Sequence, residues 1–274
     1  MKYYPFYDKE KISFIRKENN NYWIIRLKEF PELSDLLINH ITKEIFELCN
    51  GKNDIENIVT NLQSKYQNVN LDLIRNDIGL ILSKFSRMGV IQWNDNNDPY
   101  IVTNQKFFDN NYKIRYATES DYKLVFDYIN QNKENFYKFI DYYNQNYSDL
   151  TVRAKIFYKM EDFFILLNPE NQIECMIGIQ KNDSKNIYKD ARITFISNIN
   201  NTENIIFLLN YIKLTIQDFS FQKILKLRCI VDENKLNQIQ NALISCNFKF
   251  EASLSNEIDE SKKISIYSAC IKNE

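Results

Sequence analysis

Glycine is nearly missing from this chain, with four in 274 residues, Gly51, Gly79, Gly89 and Gly178. None follows Gly178, so a phosphate-binding loop in the last third would lack the residue that lets backbone N–H groups be approached closely. Histidine is scarcer still. His40 stands alone, which excludes a histidine-rich metal site and any triad that does not use it. It falls at a predicted helix start and reads as a local hydrogen-bonding residue, and no metal is expected. The five cysteines, Cys49, Cys175, Cys229, Cys246 and Cys270, are odd in number, scattered and never in C-x-x-C spacing. Most lie in apolar runs, the usage of reduced core thiols in a cytoplasmic protein. Charge of one sign is also lacking. A net charge of -1 speaks against a broad nucleic-acid footprint, which needs a basic domain. No apolar run approaches a membrane span, and the opening MKYYPFYDKEK has no signal-peptide core, so no membrane partner is expected.

What is present is core material, 44% hydrophobic and 14% aromatic, enough for two compact domains. The stretch from Leu37 to Trp93 organises the first. Apolar residues recur at helical spacing through Ile41, Ile45, Phe46 and Leu48, and Asn50-Gly51 ends that helix. A second helix is predicted through Ile55, Ile58, Val59, Leu62 and Tyr66. A third runs through Leu71, Ile74, Ile78, Ile81, Leu82 and Phe85, before the short strand Val90–Trp93. Upstream, Ile12–Ile15 and Tyr22–Leu27 read as strands around Asn19-Asn20-Asn21, and Asp35–Ile38 as a third. Residues 94–111 are polar and Asn-rich and form the predicted linker, with Phe107 and Phe108 expected to dock.

The second half opens on the strand Tyr112–Tyr116, followed by a helix capped by Thr118 that carries Tyr122, Val125, Phe126 and Ile129. A tyrosine-rich helical stretch is predicted over Phe136–Tyr147. Strands follow at Phe163–Leu167 and Ile173–Gln180, joined by the turn Asn168-Pro169-Glu170-Asn171. The strand Ala191–Ser197, a helix from about Ile205 to Phe219 and the strand Ile224–Val231 make a β-α-β pass that predicts a mixed sheet. The helix Lys235–Ser245 and strands Phe248–Leu254 and Ile264–Ile271 finish the chain.

Residues 10–93 resemble a RiPP recognition element, the PqqD-like domain of enzymes that modify ribosomally made peptides. The resemblance is carried by Leu37-Ile38-Asn39, Leu48-Cys49-Asn50-Gly51, Ile55, Ile58 and Asp77–Gly89. It implies that a precursor leader peptide adds as a strand to the sheet edge and packs on the third helix. The residues implicated are Asp35, Leu36, Leu37, Ile38, Arg75, Ile78, Leu82 and Arg87. Ile78 and Leu82 read individually as core, whereas Arg75 and Arg87 read as solvated groups suited to an acidic leader.

Residues 112–272 are similar to the GNAT superfamily of acyl-CoA-dependent N-acyltransferases. The carriers are Ile114-Arg115-Tyr116-Ala117-Thr118-Glu119-Ser120-Asp121, the element order, and Val231-Asp232-Glu233-Asn234 before a helix and Cys246-Asn247-Phe248. The family's cofactor loop reads V-x-P-x-x-R/Q-x-x-G-x-G/A. Here Phe195 falls on the Val, Ser197 on the Pro, Asn200 on the Arg or Gln, and Glu203 and Ile205 on the glycine positions. The resemblance places acyl-CoA, acetyl-CoA first, on Phe195, Ile196, Ser197, Asn200, Asn201, Thr202 and Asn204. Loop length is kept while its chemistry is not, since Glu203 puts a like charge beside a pyrophosphate and Ile205 crowds it. The family's general-acid tyrosine position is Leu243, which carries no proton to give. Glu174, Ser245 and Cys246 are the candidate catalytic residues. Glu161, Asp162 and Asp190 join Glu174 as possible bases.

The expected fold class is therefore two-domain α+β and α/β. A winged-helix PqqD-like domain (1–93) and a linker (94–111) precede a GNAT-like mixed-sheet domain (112–274). The chain is expected to bind a leader peptide, with other peptide-modifying enzymes as further partners, and to transfer an acyl group to a peptide amine. Its alternative is a peptide-binding or partner-docking protein that has lost acyl-CoA. A winged-helix regulator of transcription is disfavoured by the near-neutral charge and the lack of a basic recognition helix.

Overall fold

The computed structural model describes residues 2–18, 21–28, 35–96, 98–100, 105–107, 111–139, 142, 147–181, 188–217, 223–255 and 263–271. Asn19, Asn20, Phe108 and half of the tyrosine-rich stretch (140, 141 and 143–146) lie outside these residues. Contacts divide the chain into one unit of Met1–Thr103 with Thr118–Ser120, and a second of Asn104–Ala117 with Asp121–Glu274.

In the first unit, β2 (Ile12–Lys17), β3 (Tyr22–Leu27) and β4 (Leu36–Asn39) form an antiparallel sheet in the order β2-β3-β4. Side chains alternate as a pleat requires: Ile25, Leu27 and Ile38 are buried, while Arg26 and Leu37 point out. Three helices follow, α1 (His40–Leu48), α2 (Ile55–Lys65) and α3 (Leu71–Arg87). Each starts on a side-chain cap. Asn39 accepts from the Thr42 N–H at 2.8 Å, Asp54 from Asn57 at 2.8 Å and Asn70 from Asp72 at 2.7 Å. The apolar stripes of α1, α2 and α3 bury Ile45, Phe46, Ile58, Val59, Leu62, Ile74, Ile78, Leu82 and Phe85. The Phe46 ring stacks on Tyr7 at 4.3 Å and meets Phe85 edge-on at 5.8 Å. Positive φ at Gly51 (76°) and Gly89 (68°) lets the chain turn out of α1 and α3. The strand after α3 is β5 (Gln92–Trp93). It pairs with β1 (Pro5–Phe6), not with the three-stranded sheet.

The second unit is a nine-stranded sheet among the described residues. Its strands are β6 (Lys106–Phe107), β7 (Lys113–Tyr116), β8 (Phe136–Lys138), β9 (Asp162–Leu167), β10 (Ile173–Lys181), β11 (Asp190–Ser197), β12 (Lys226–Asp232), β13 (Lys249–Ser255) and β14 (Lys263–Cys270). The order is β13-β14-β12-β11-β10-β9-β7-β6, with β8 paired to β11 off this path. Every pair is antiparallel except β11 with β12. Helices α4 (Tyr122–Gln131), α5 (Asp149–Phe157), α6 (Thr202–Thr215) and α7 (Gln240–Ser245) complete the unit. Val125, Ile129, Val152 and Ile156 of α4 and α5 cluster with Phe163, Ile165, Met176 and Phe195. Leu208, Leu209 and Ile212 of α6 and Leu243 of α7 cluster with Ile177, Ile193, Leu227 and Cys229. Helices on both faces explain why β9 is apolar from Phe163 to Leu167 and buried at every position.

Four local expectations need correction. Residues Phe136–Lys138 are a strand, not a helix, because Tyr137 and Phe139 alternate into the core with period two. The helix in that region is α5, capped by Ser148, whose hydroxyl accepts from the Thr151 N–H at 3.3 Å. Thr118 does not cap α4: a 3₁₀ turn over Glu119–Asp121 intervenes, and the Thr118 hydroxyl lies 2.7 Å from that of Ser120. Asp121, at the helix start, makes no cap bond and holds Arg115 with two hydrogen bonds of 2.6 and 2.9 Å instead. Finally, the predicted linker contains β6, where Phe107 is 65% exposed and not docked.

Candidate functional site

The residues assigned to peptide binding fall into three environments. β4 is an edge strand, paired with β3 and with no other strand among the described residues. On it Leu37 is 58% exposed, Leu36 is half-buried and Ile38 belongs to the core. Asp35 is held by the Arg26 guanidinium at 2.5 Å. On α3, Arg75 is exposed and paired with Glu56 at 2.8 Å, an ion pair that raises its pKa. Ile78 and Leu82 are fully buried and present no side chain to a ligand. Arg87 corrects its expectation: it is 3% exposed, in the last turn of α3, where the following Met88, Val90 and Ile91 are buried as well. The apolar residues that α3 does show to solvent are Leu71, Leu73 and Leu80, and the last two, seven positions apart, share one face.

In the second unit, the expected cofactor residues divide at the end of β11. Phe195, Ile196 and Ser197 are buried in the sheet, whereas Asn200, Asn201 and Thr202 are exposed and Asn204 is half-buried. Asn201 caps α6, its side-chain oxygen accepting from the Asn204 N–H at 3.2 Å, with Glu203 in the first turn. β11 and β12 are paired only from Asp190–Arg192 to Lys226–Arg228. Beyond that point β8 takes the edge of β11, with Lys138 opposite Phe195, Tyr137 opposite Ile196 and Phe136 opposite Ser197. The Phe139 N–H continues the ladder by donating to the Thr194 carbonyl at 3.1 Å.

A polar cluster fixes the Ser197 end of the strand. The Ser197 hydroxyl accepts from the Met176 N–H at 2.7 Å and lies 3.0 Å from the Tyr128 hydroxyl. Tyr128 also donates to the Glu174 carbonyl at 3.1 Å, so Glu174 joins this cluster through its backbone. Burial pushes the Tyr128 phenol up to about 12, which keeps it protonated near neutral pH. The Glu174 carboxylate itself accepts from the Asn168 amide at 3.2 Å.

The other carboxylates are spoken for. Glu161, 2% exposed, accepts from the Tyr147 hydroxyl at 2.9 Å, from the Thr194 hydroxyl and from the Lys155 ammonium. Asp162 pairs with Lys181 at 2.5 Å, and Asp190 with Arg228 at 2.9 Å. Glu161, with three donors on its two oxygens, has the least room to accept a substrate proton, while Asp162 and Asp190 are each held by a cation through one oxygen. Ser245 is exposed at the end of α7, and the Cys246 thiol contacts the Ile206 carbonyl at 3.7 Å. Burial raises that thiol to about 11, so it is not a thiolate near neutral pH. Ser245 and Cys246 lie at the end of α7, and Glu174 lies in β10.

Acyl-CoA does not fit the residues the resemblance assigns to it. The edge of β11 that an extended, amide-bearing ligand would pair with is occupied by β8, and the α6 end carries Glu203 and is capped by its own chain. The Glu161 network escaped sequence reasoning, although one signal for it existed. Gly178 is alone in a buried strand, which marks a place where another group comes close. An added Cβ there would lie 2.6 Å from Glu161 Oε1 and 2.6 Å from Phe195 Cε1.

No protein-family model matches the sequence and no curated protein matches it. Among solved structures, the chain is similar to the ribosomal-protein-S5-alanine acetyltransferase of Vibrio fischeri at 11% identity and a TM-score of 0.47, over 62% of this chain and 97% of that one. It is similar to a probable acetyltransferase from Staphylococcus epidermidis at 15% identity and a TM-score of 0.47, over 59% of this chain and 99% of that one. A spermidine/spermine N-acetyltransferase from Vibrio cholerae, in mutant forms, aligns at 13% identity and a TM-score of 0.42, over 58% and 93%.

Proposed function

We propose that this chain is a peptide-binding protein of ribosomal-peptide modification. Its first unit captures the leader of a precursor peptide as an added strand on β4. The second unit serves as an acyltransferase-shaped scaffold for docking partners such as other peptide-modifying enzymes. The observation that carries the reading is the β4 edge. It presents an edge that pairs with no strand other than β3 among the described residues, and an exposed leucine, Leu37. Exposed apolar edge strands invite aggregation unless a partner uses them. Strand addition satisfies the backbone groups of such an edge, while side chains at alternate positions select the sequence.

The contacts differ from those first assigned. Leu37 on β4 and, separately, Leu73 and Leu80 on α3 are exposed apolar groups that a leader can meet, while Ile78, Leu82 and Arg87 are buried. Acyl transfer to a peptide amine is the weaker reading of the second unit, because the Glu161 carboxylate and the β11 edge are already engaged.

The test is calorimetric titration of the full chain with a synthetic leader from a short peptide encoded beside its gene. Binding in the micromolar range is expected, and Leu37→Ala should weaken it about tenfold, the effect of losing roughly 1.4 kcal/mol of apolar burial. Equal affinity in the variant removes the β4 edge as the site, and absence of any leader binding overturns the reading.

A further inference from the structure

We propose that Phe136–Phe139 is a built-in strand standing where an acyl donor would have to lie, so that the second unit is closed to acyl-CoA by its own chain. This rests on reading that unit as acyltransferase-like. Parallel strands β11 and β12 separate after Arg192 and Arg228, which leaves the far half of β11 with one free edge. Buried N–H and C=O groups along such an edge require partners. β8 supplies them. Phe195 and Ile196 are thereby paired on both sides, with Gly178 and Ile177 of β10 across one edge and Lys138 and Tyr137 of β8 across the other.

The occupant is anchored as core. Tyr137 and Phe139 are 3% and 0% exposed, their rings meet at 5.0 Å, and both belong to the cluster built on Leu208 and Leu209 of α6. On the other side of the strand the Phe136 ring packs at 5.1 Å from that of Phe195. An extended ligand with its own amides, such as the pantetheine arm of CoA, could pair with β11 only by evicting these aromatic side chains into water. The anionic part of such a ligand meets a second obstacle. The first turn of α6 carries Glu203, and the Asn204 N–H there is already bonded to Asn201.

The inference is tested by titrating the full-length protein calorimetrically with CoA and with acetyl-CoA up to about 1 mM, a range that reveals any affinity useful to an enzyme. No saturable heat is expected. A Kd below about 100 μM for either ligand overturns the proposal. Hydrogen exchange read by mass spectrometry over residues 136–139 should show protection equal to that of β10, unchanged by added CoA. Exchange within seconds, or deprotection by CoA, also overturns it. Phe139→Ala should raise the exchange rate of this segment at least a hundredfold, and an unchanged rate counts against the strand's anchoring. Should that variant fail to fold, the wild-type measurements still decide. Leader titration is independent of all three: acyl-CoA binding alongside leader binding sinks only the strand proposal, and loss of leader binding alone sinks only peptide capture.

Discussion

Replacing Gly178 by alanine should destabilise the second unit more than any other addition of a single methyl group at a glycine of this chain. Gly178 lies in β10 opposite Phe163 of β9 and Phe195 of β11, beside a shift in strand register. The new methyl would be 2.6 Å from both Glu161 Oε1 and Phe195 Cε1, and closer still to Thr194 Oγ1. None of these atoms can retreat cheaply. Glu161 is pinned by Tyr147, Lys155 and Thr194, and Phe195 is packed among Phe136, Tyr147 and Phe163. Overpacking costs about 1–3 kcal/mol. Breaking the Thr194 hydrogen bond to a buried carboxylate adds roughly 1.5–3 kcal/mol. Alanine recovers about 0.4–1 kcal/mol by restricting the unfolded chain. The net expectation is about 3 kcal/mol, or roughly 6–12 °C in Tm for a domain of this size.

Chemical denaturation followed by far-ultraviolet circular dichroism measures the change. Both tryptophans, Trp23 and Trp93, belong to the first unit, so their fluorescence reports on that unit within the same sample. Thr194→Val alone should lose only the hydrogen bond. The double variant should cost less than the sum of the two single ones, because one bond is lost once. A loss below about 1 kcal/mol for Gly178→Ala, or strict additivity, refutes the account of Gly178 as the space that Glu161 and Thr194 require.

Two further outcomes follow from titratable groups. Burial raises the thiols of Cys175 to about 12 and of Cys246 to about 11, and pushes those of Cys49 and Cys229 up as well. Only Cys270 is exposed, so Ellman's reagent should find one fast thiol in the folded chain and five after unfolding; two or more fast thiols contradict the packing. The Asn57 N–H, aided by Lys2, holds the Asp54 carboxyl below its ordinary range. Its folded-state pKa being depressed, the charged cap stabilises the fold above about pH 4 and the contribution is lost as pH falls through that lower value. Asp54→Ala should therefore cost about 1 kcal/mol at pH 7 and less in acid, and a cost that does not shrink argues against the cap.

Where one segment carries its own pattern and punctuation, the fold was readable from the chain. The stripes of α2 and α3 are bounded by Asp54, Asn70 and Gly89, and each boundary is a local interaction with a residue two or three positions away. The hairpin of β9 and β10 is similar. Asn168 accepts from the Gln172 N–H at 2.8 Å, and Asn171 takes the positive φ the turn needs. The helix α5 could have been found on the same terms, because Ser148 precedes Val152 and Ile156 at helical spacing.

The rest depended on partners far along the chain. Phe136 to Phe139 offers only four residues of alternation, too few to separate a strand from one turn of helix. What makes it a strand is the vacant edge of β11 some sixty positions later, itself a consequence of β12 parting from β11 after Arg192. Arg87 has the same character. Its charge predicts solvent and its helical phase is not that of Leu82 and Phe85, yet it is buried where the chain turns through Gly89 and buries Met88, Val90 and Ile91 as well. The two surprises bear on function in opposite ways. The first fills the edge of β11 where the loop length had suggested acyl-CoA, and the second removes one cation from the surface meant for an acidic leader. What survives both is the edge of β4, whose exposure of Leu37 follows from the alternation of one short strand. Peptide capture by backbone pairing therefore requires less of this chain than either acyl transfer or charge-led recognition.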